Sequence, residues 1–185
     1  MDNEKGLDFH KLRRNILGDK LDRGDLVPGT AVSELSKDTL TGLLPRALWE
    51  SQMKQFYEYA RRSGTHFAIA MMDIDNFGDY NNTYGHLAGD QKLKEFGQGI
   101  QKRFREADIK GRYGGDEMIV MLTDFSLDDN QLEQEEEKLV QDLKKACGVD
   151  ISLGIAKWKG QKTLKELIKK ADQRLYLVKN QKKHD

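Results

Sequence analysis

A pair of adjacent glycines constrains the fold of this chain more than any other feature. Residues 111–120 read GRYGGDEMIV, so Gly114 and Gly115 separate the segment IKGRY from the apolar run DEMIVML. Adjacent glycines accept the positive φ angles of a two-residue hairpin turn. The sequence therefore predicts two antiparallel neighbouring strands, with Asp116 and Glu117 where the second strand begins.

Helical and strand patterns alternate on both sides of this hairpin. The segment LLPRALWESQMKQFYEYARR predicts a first helix with Pro45 in its first turn, and the apolar run at 66–75 predicts a buried strand. Helical periodicity recurs over 87–104, 130–147 and about 163–180, and a further strand is predicted in VDISLGIA. This order is typical of an α+β fold, a mixed sheet of ferredoxin-like type with helices packed on it.

Length and charge narrow the classes of partner. The 185 residues suit one domain over 38–185, preceded by an extension or linker at 1–37 that carries four glycines and only a weak helical spacing. Lys plus Arg number 31 and Asp plus Glu number 31, so no net charge attracts nucleic acid or an anionic membrane. With no signal-peptide pattern and no apolar stretch near the about 18 residues that span a bilayer, we expect a cytoplasmic protein.

Carboxylates cluster at the ends of two predicted strands. Asp73 and Asp75 end the strand at 66–75, and Asp116 and Glu117 begin the second strand of the hairpin. If the strands are neighbours, the repulsion between these acids requires cations among them, unless they are simply solvated turn residues. Hard oxygen ligands suit Mg²⁺ or Mn²⁺, and such ions can clamp a phosphate and activate a hydroxyl.

Four separated blocks in this chain match a known family. They are DTLTGLLPR (38–46), MMDIDNFGDYNNTYGHLAGDQKL (71–93), GRYGGDEM (111–118) and ADQRLYLVKNQKK (171–183). Together they resemble the GGDEF domain, the diguanylate cyclase family, over about residues 38–183. The resemblance implies a palm-like fold that condenses two GTP molecules into cyclic di-GMP, with one GTP bound to each subunit of a homodimer.

The resemblance also implies roles for individual residues. Asp73 and Asp116 would hold the metal, Ile74 would lend its backbone carbonyl, and Glu117 would be a further ligand or take the hydroxyl proton. Asp116 and Glu117 are thus the expected catalytic residues. The expected substrate-binding residues are Asn81 and Asp90 for guanine, together with Arg112, Gly114, Gly115, Lys179 and Lys183. Arg105 and Asp108, in the element READ, would form an inhibitory site for the product.

Some positions depart from the family pattern. Gly78 replaces a lysine expected at the triphosphate, Asn82 replaces an acid, Met118 replaces a phenylalanine, and Lys183 replaces an arginine. A charged hydrogen bond contributes roughly 1.5 to 3 kcal/mol, so the missing lysine weakens the use of GTP without abolishing it.

Three functions remain open on the sequence. The first is an active diguanylate cyclase with product inhibition, and the second is a weak or inactive domain that binds cyclic di-GMP or GTP as a signalling module. The third, a polymerase or another purine cyclase, uses the same acids but lacks a basic template channel. Because a pure receptor has no need of clustered acids, the enzyme is favoured.

Overall fold

This computed structural model describes residues 37–123, 125–126 and 128–182. The chain divides into two units, Met1–Lys37 and Asp38–Asp185, of which the second contains the elements described below. The extension expected at 1–37 falls, apart from Lys37, outside the described residues, as does Lys183. Both expectations remain predictions.

The described residues form five strands and five helices. In chain order they are β1 (Leu44–Pro45), α1 (Arg46–Ser63), β2 (Phe67–Ile74), α2 (Phe77–Tyr84), α3 (His86–Arg103), β3 (Ile109–Arg112), β4 (Glu117–Thr123), α4 (Asp129–Cys147), β5 (Ile151–Lys157) and α5 (Leu164–Lys182). The sheet order is β1-β3-β4-β2-β5, in which β1 and β3 are parallel and the other neighbours antiparallel. The predicted α+β fold with a mixed sheet is confirmed.

Burial on both faces explains the apolar sequence of the central strand. All eight residues of β2 are buried, because β2 has β4 and β5 as neighbours and helices on each face. Ala68, Ala70 and Met72 join the core cluster with residues of α3 and α4, whereas Phe67 packs edge-on against Phe56 of α1. Successive residues of a strand point to opposite faces. Asp73 therefore lies on the same face as Phe67.

The structure contains two elements that the sequence did not predict. Between β2 and β3 there are two helices rather than one, and they meet at Gly85, which has φ 83°. The eight-residue helix α2 is too short to show a clear period and depends on packing against α3 for its stability. The two-residue strand β1 was also missed, and Pro45 caps α1 in an extended conformation instead of lying in its first turn.

The hairpin is antiparallel as predicted, but the predicted turn type is wrong. Four residues, 113–116, connect β3 to β4, and neither Gly114 nor Gly115 has a positive φ. The backbone amides of Tyr113 and Gly114 instead share the carbonyl oxygen of Glu117, at 2.8 and 3.2 Å. The end of the Glu117 side chain packs against Gly114, so a Cβ at 114 would displace the Glu117 carboxylate. Close approach of a nucleotide to these glycines remains a prediction.

Candidate active site

Two neighbouring strands bring the candidate acids to one end of the sheet. Asp73 of β2 pairs in register with Glu117 of β4, and Asp116 is the last residue of the turn before β4. Asp73 is only 7% exposed. Burial is the main cause that raises the pKa of the Asp73 carboxyl, and the negative charges of Asp116 and Glu117 raise it further against the opposing effect of Lys179. The three carboxylates therefore interact electrostatically.

A lysine ammonium already lies beside the buried acid. The Nζ atom of Lys179, on α5, is 2.5 Å from Oδ1 of Asp73. The fourth candidate acid has different partners: Asp75 accepts from Ser152 Oγ at 2.6 Å and from Lys182 Nζ at 2.7 Å. Among the described residues, no three acids, histidines or cysteines are arranged to hold a metal ion. A divalent ion bound to Oδ1 of Asp73 would take the place of the Lys179 ammonium.

The chemistry of the donors nevertheless fits a hard cation. Carboxylate oxygens of Asp73, Asp116 and Glu117 and the backbone carbonyl of Ile74, the last residue of β2, are ligands that Mg²⁺ and Mn²⁺ prefer. Lys179 shows that a positive charge is accommodated against Asp73. The assignment of these atoms as metal ligands remains a prediction.

The two residues expected to recognise guanine lie near each other on α2 and α3. The Asn81 carboxamide packs against Gly89 so closely that any Cβ there would collide with its oxygen. Asp90, the next residue, is exposed. Oδ1 of Asn81 is buried without a hydrogen-bond partner in the described structure. Because buried polar atoms are nearly always paired, this oxygen is suited to accept a hydrogen bond from a bound ligand.

Two positions at which the family pattern has a basic residue for the phosphates differ in this structure. The Arg112 guanidinium donates from Nε and Nη2 to the Gly115 carbonyl oxygen, at 3.1 and 2.7 Å, and from Nη1 to Asp38. Its expected contact with substrate would have to replace these bonds. Gly78 is exposed near the start of α2, with nothing within 4 Å of the position that a Cβ would take. Space for the missing lysine is therefore present.

The residues of the expected inhibitory site have unequal exposure. Asp108 is only 3% exposed, and it accepts from the backbone and hydroxyl of Thr123, at 3.0 and 3.2 Å, and from the Arg105 amide at 2.9 Å. The Arg105 side chain is 60% exposed and donates to the Thr123 carbonyl oxygen. Asp108 thus joins two backbone segments, and only Arg105 is presented to solvent. Product binding here remains a prediction.

Comparison with known proteins decides the family. The model of the diguanylate cyclase GGDEF domain matches residues 35–185. This chain belongs to the GGDEF family. Diguanylate cyclase DosC of Escherichia coli (strain K12) is 35% identical over 155 residues, which cover 79% of this chain and 33% of that protein. This chain thus spans about a third of the length of that relative.

Solved GGDEF structures have the same fold. A sensory box/GGDEF family protein from Caulobacter crescentus CB15 is 27% identical with a TM-score of 0.70, covering 79% of this chain and 99% of that one. A microbial GGDEF domain described in its interaction with cyclic di-GMP is 27% identical with a TM-score of 0.66, covering 79% of this chain and 94% of that one. None of the described helices is apolar over a length that could cross a bilayer.

Proposed function

We propose that this GGDEF domain is a diguanylate cyclase that converts two GTP molecules into cyclic di-GMP and two pyrophosphates. The observation that carries this proposal is the pairing of Asp73 with Glu117 across β2 and β4, beside Asp116 and against a cationic side chain. Carboxylates held in this way are costly in a folded protein, and their use at a cation site explains why they are present. GTP is the substrate, so the cytoplasm is the proposed compartment.

The residues have distinct roles in this proposal. Asp73, Asp116 and the Ile74 carbonyl hold a divalent ion, which supplies positive charge at the α-phosphate. Glu117 completes the ligand set or accepts the proton of the attacking 3′-hydroxyl. Asn81 and Asp90 recognise guanine, since a carboxylate can accept from the N1–H and the 2-amino group of guanine, whereas adenine has neither donor. Lys179 moves from Asp73 to the triphosphate, while the contact of Lys183 with the phosphates is proposed from the family pattern alone.

Two subunits complete the reaction. Each binds one GTP, and the 3′-hydroxyl of each nucleotide attacks the α-phosphate of the other, forming two phosphodiester bonds and releasing two pyrophosphates. A homodimer in which two such sites face each other is therefore part of the proposal. The rate per subunit should rise with protein concentration until dimers are saturated.

Product identification tests this function directly. The purified chain is incubated with GTP or with ATP, each with Mg²⁺, Mn²⁺ or EDTA, and the products are identified by liquid chromatography and mass spectrometry. We expect cyclic di-GMP from GTP with either metal and none with EDTA. An absence of product at high protein concentration, or a cyclic product from ATP alone, would contradict the proposal.

Introducing the missing lysine is expected to improve the use of GTP. In the variant Gly78→Lys, the new ammonium extends from an open position at the start of α2 toward the triphosphate. The GTP concentration at half-maximal rate should fall about tenfold, as expected for one charged hydrogen bond. Gly78→Gln is the control, because it gives a similar gain in helix propensity without the charge. An equal effect of both variants would show that helix stability, and not the cation, is responsible.

A module that binds cyclic di-GMP without turnover is the second candidate. It is favoured by the glycine at 78, by the Lys179 ammonium against Asp73 and by the exposed guanidinium of Arg105. Calorimetric titration with cyclic di-GMP tests it. Tight binding that is lost in Arg105→Ala and kept in Arg61→Ala, an arginine of similar exposure, would support this module if GTP is not turned over.

A further inference from the structure

The backbone immediately before Asp116 is held by an arginine side chain. Nε and Nη2 of Arg112 donate to the carbonyl oxygen of Gly115, at 3.1 and 2.7 Å. This carbonyl belongs to the same planar peptide unit as the amide of Asp116. Gly115 itself is exposed, and nothing lies within 4 Å of the position that a Cβ would take. Because packing does not hold Gly115, the orientation of this peptide depends on Arg112.

The arginine is in turn held by an acid at the start of the domain. Nη1 of Arg112 lies 3.2 and 3.1 Å from the two carboxylate oxygens of Asp38. Asp38 also accepts from the amide and hydroxyl of Thr41, at 2.8 and 2.7 Å. Thr41 is buried, and its carbonyl oxygen accepts from Gln101 of α3 at 3.1 Å. A continuous set of hydrogen bonds thus joins α3 to the turn that carries Asp116.

Asp38 is well suited to hold a guanidinium permanently. Its burial opposes ionisation, but hydrogen bonds from Thr41 and the charge and hydrogen bond of Arg112 outweigh this effect, so the pKa of the Asp38 carboxyl is lowered. All three guanidinium nitrogens of Arg112 are engaged. The anionic carboxylate of Asp38 would repel a triphosphate. In this structure the Arg112 guanidinium is therefore occupied by Asp38 and by the turn, and its expected contact with substrate remains a prediction.

We propose that Asp38 and Arg112 are positioning residues that fix the turn bearing Asp116, and this inference rests on the proposed cyclase function. Asp38 acts through Arg112, and Arg112 acts through the Gly115 carbonyl. Since they set the geometry of a catalytic acid and do not touch substrate, they contribute to kcat and not to the affinity for GTP.

The variant Asp38→Asn tests this role while sparing the local fold. An asparagine oxygen still accepts from Thr41, but the charge that orients Arg112 is lost. We expect kcat to fall between about tenfold and 100-fold with the half-saturating GTP concentration unchanged within about twofold. Arg112→Lys should give a similar loss, because an ammonium lacks the fork that grips two acceptors, and the double variant should be no worse than either.

A second ion pair provides the matched control. Arg103 and Asp142 pair at 2.8 Å with similar side-chain exposure, and they join α3 to α4 without contacting the turn. Asp142→Asn should leave kcat unchanged. Equal losses in Asp38→Asn and Asp142→Asn would overturn the positioning role, as would a higher half-saturating GTP concentration at constant kcat. The latter result would assign Arg112 to nucleotide binding.

Amide hydrogen exchange separates this inference from the proposed function. Measured by NMR without any nucleotide, exchange at the amides of Tyr113 and Gly114, which donate to the Glu117 carbonyl oxygen in this turn, should be about tenfold faster in Asp38→Asn than in the parent chain, and unchanged in Asp142→Asn. If the parent chain makes no cyclic di-GMP but exchange accelerates as expected, the cyclase proposal fails and the positioning contact stands. If exchange at the turn is unchanged in Asp38→Asn, the positioning role is wrong whatever the activity.

Discussion

Replacing Asp116 with asparagine is expected to lower production of cyclic di-GMP by about 100-fold or more while the fold is retained. The substitution removes one of the negative charges of the acidic cluster formed by Asp73, Asp116 and Glu117, and it preserves the shape of the side chain. A bound metal contributes several kcal/mol at a phosphoryl group, and each 1.36 kcal/mol is a factor of ten in rate. Product formation is measured at several Mg²⁺ concentrations, and thermal unfolding is followed by circular dichroism.

An acid outside the candidate site gives the comparison for this variant. Asp172 is exposed on α5, and Asp172→Asn removes the same charge from the chain as a whole. Its turnover should equal that of the parent chain. Parent-like turnover in Asp116→Asn would refute the assignment of Asp116, whereas a loss that excess Mg²⁺ restores would limit its role to metal affinity.

Replacing Asp73 with asparagine is expected to lower activity strongly and at the same time stabilise the metal-free fold. Because the pKa of Asp73 is raised in the folded protein, the folded state binds a proton more tightly than the unfolded state does. The contribution of Asp73 to the free energy of unfolding therefore falls as pH rises from the unfolded pKa of about 3.9 through the folded pKa. At neutral pH the ionised carboxylate is destabilising, and asparagine removes that cost. Turnover should drop about 100-fold or more.

Urea unfolding in EDTA between pH 4 and pH 8 measures this effect. The free energy of unfolding of Asp73→Asn should exceed that of the parent chain near pH 7, and the difference should shrink toward pH 4, because protonation removes the charge of the Asp73 carboxylate and is about half complete in the unfolded state at that pH. Asp75→Asn is the control two residues further on, and it should not stabilise the fold, since Asp75 is paired with Ser152 and Lys182. Lower stability of Asp73→Asn at every pH would mean that the Lys179 ion pair outweighs the burial and repulsion at Asp73.

If Asp73→Asn is more stable but less active than the parent chain, the Asp73 carboxylate lowers the stability of the fold and is needed for function. Such acids are retained at a cost in stability because the site requires them. Mg²⁺ together with GTP should raise the melting temperature of the parent chain, because a ligand that binds only the folded state stabilises it. The same addition should have a much smaller effect on Asp73→Asn. An equal rise in the melting temperature of both proteins would show that the metal does not bind to Asp73.

Local patterns in the sequence were sufficient for the main elements and for the family. Apolar runs and helical periods predicted β2 to β5 and four of the helices, since burial imposes these periods on any sequence that forms such elements. The glycines at 114 and 115 predicted the hairpin, and the acids at the ends of β2 and β4 predicted a common site. The predicted turn type was wrong, because the turn closes through bonds from the Tyr113 and Gly114 amides to the Glu117 carbonyl oxygen. Sequence spacing does not contain that information.

The partners of the charged residues were decided only by the tertiary structure. Asp108 accepts a hydrogen bond from the Thr123 amide, and Lys179 forms an ion pair with Asp73. Arg112 forms an ion pair with Asp38 and donates to the Gly115 carbonyl oxygen in the turn. The contacts of Asp108 with Thr123, of Lys179 with Asp73 and of Arg112 with Asp38 join residues that are not neighbours in the sequence, so a motif can identify the residue but not the atoms that it faces. The formation of helix α2 also depends on the tertiary structure, because a short helix is stable only where other elements pack against it. Residue types thus determined the chemistry available to this GGDEF domain, and packing determined which side chains are free to perform it.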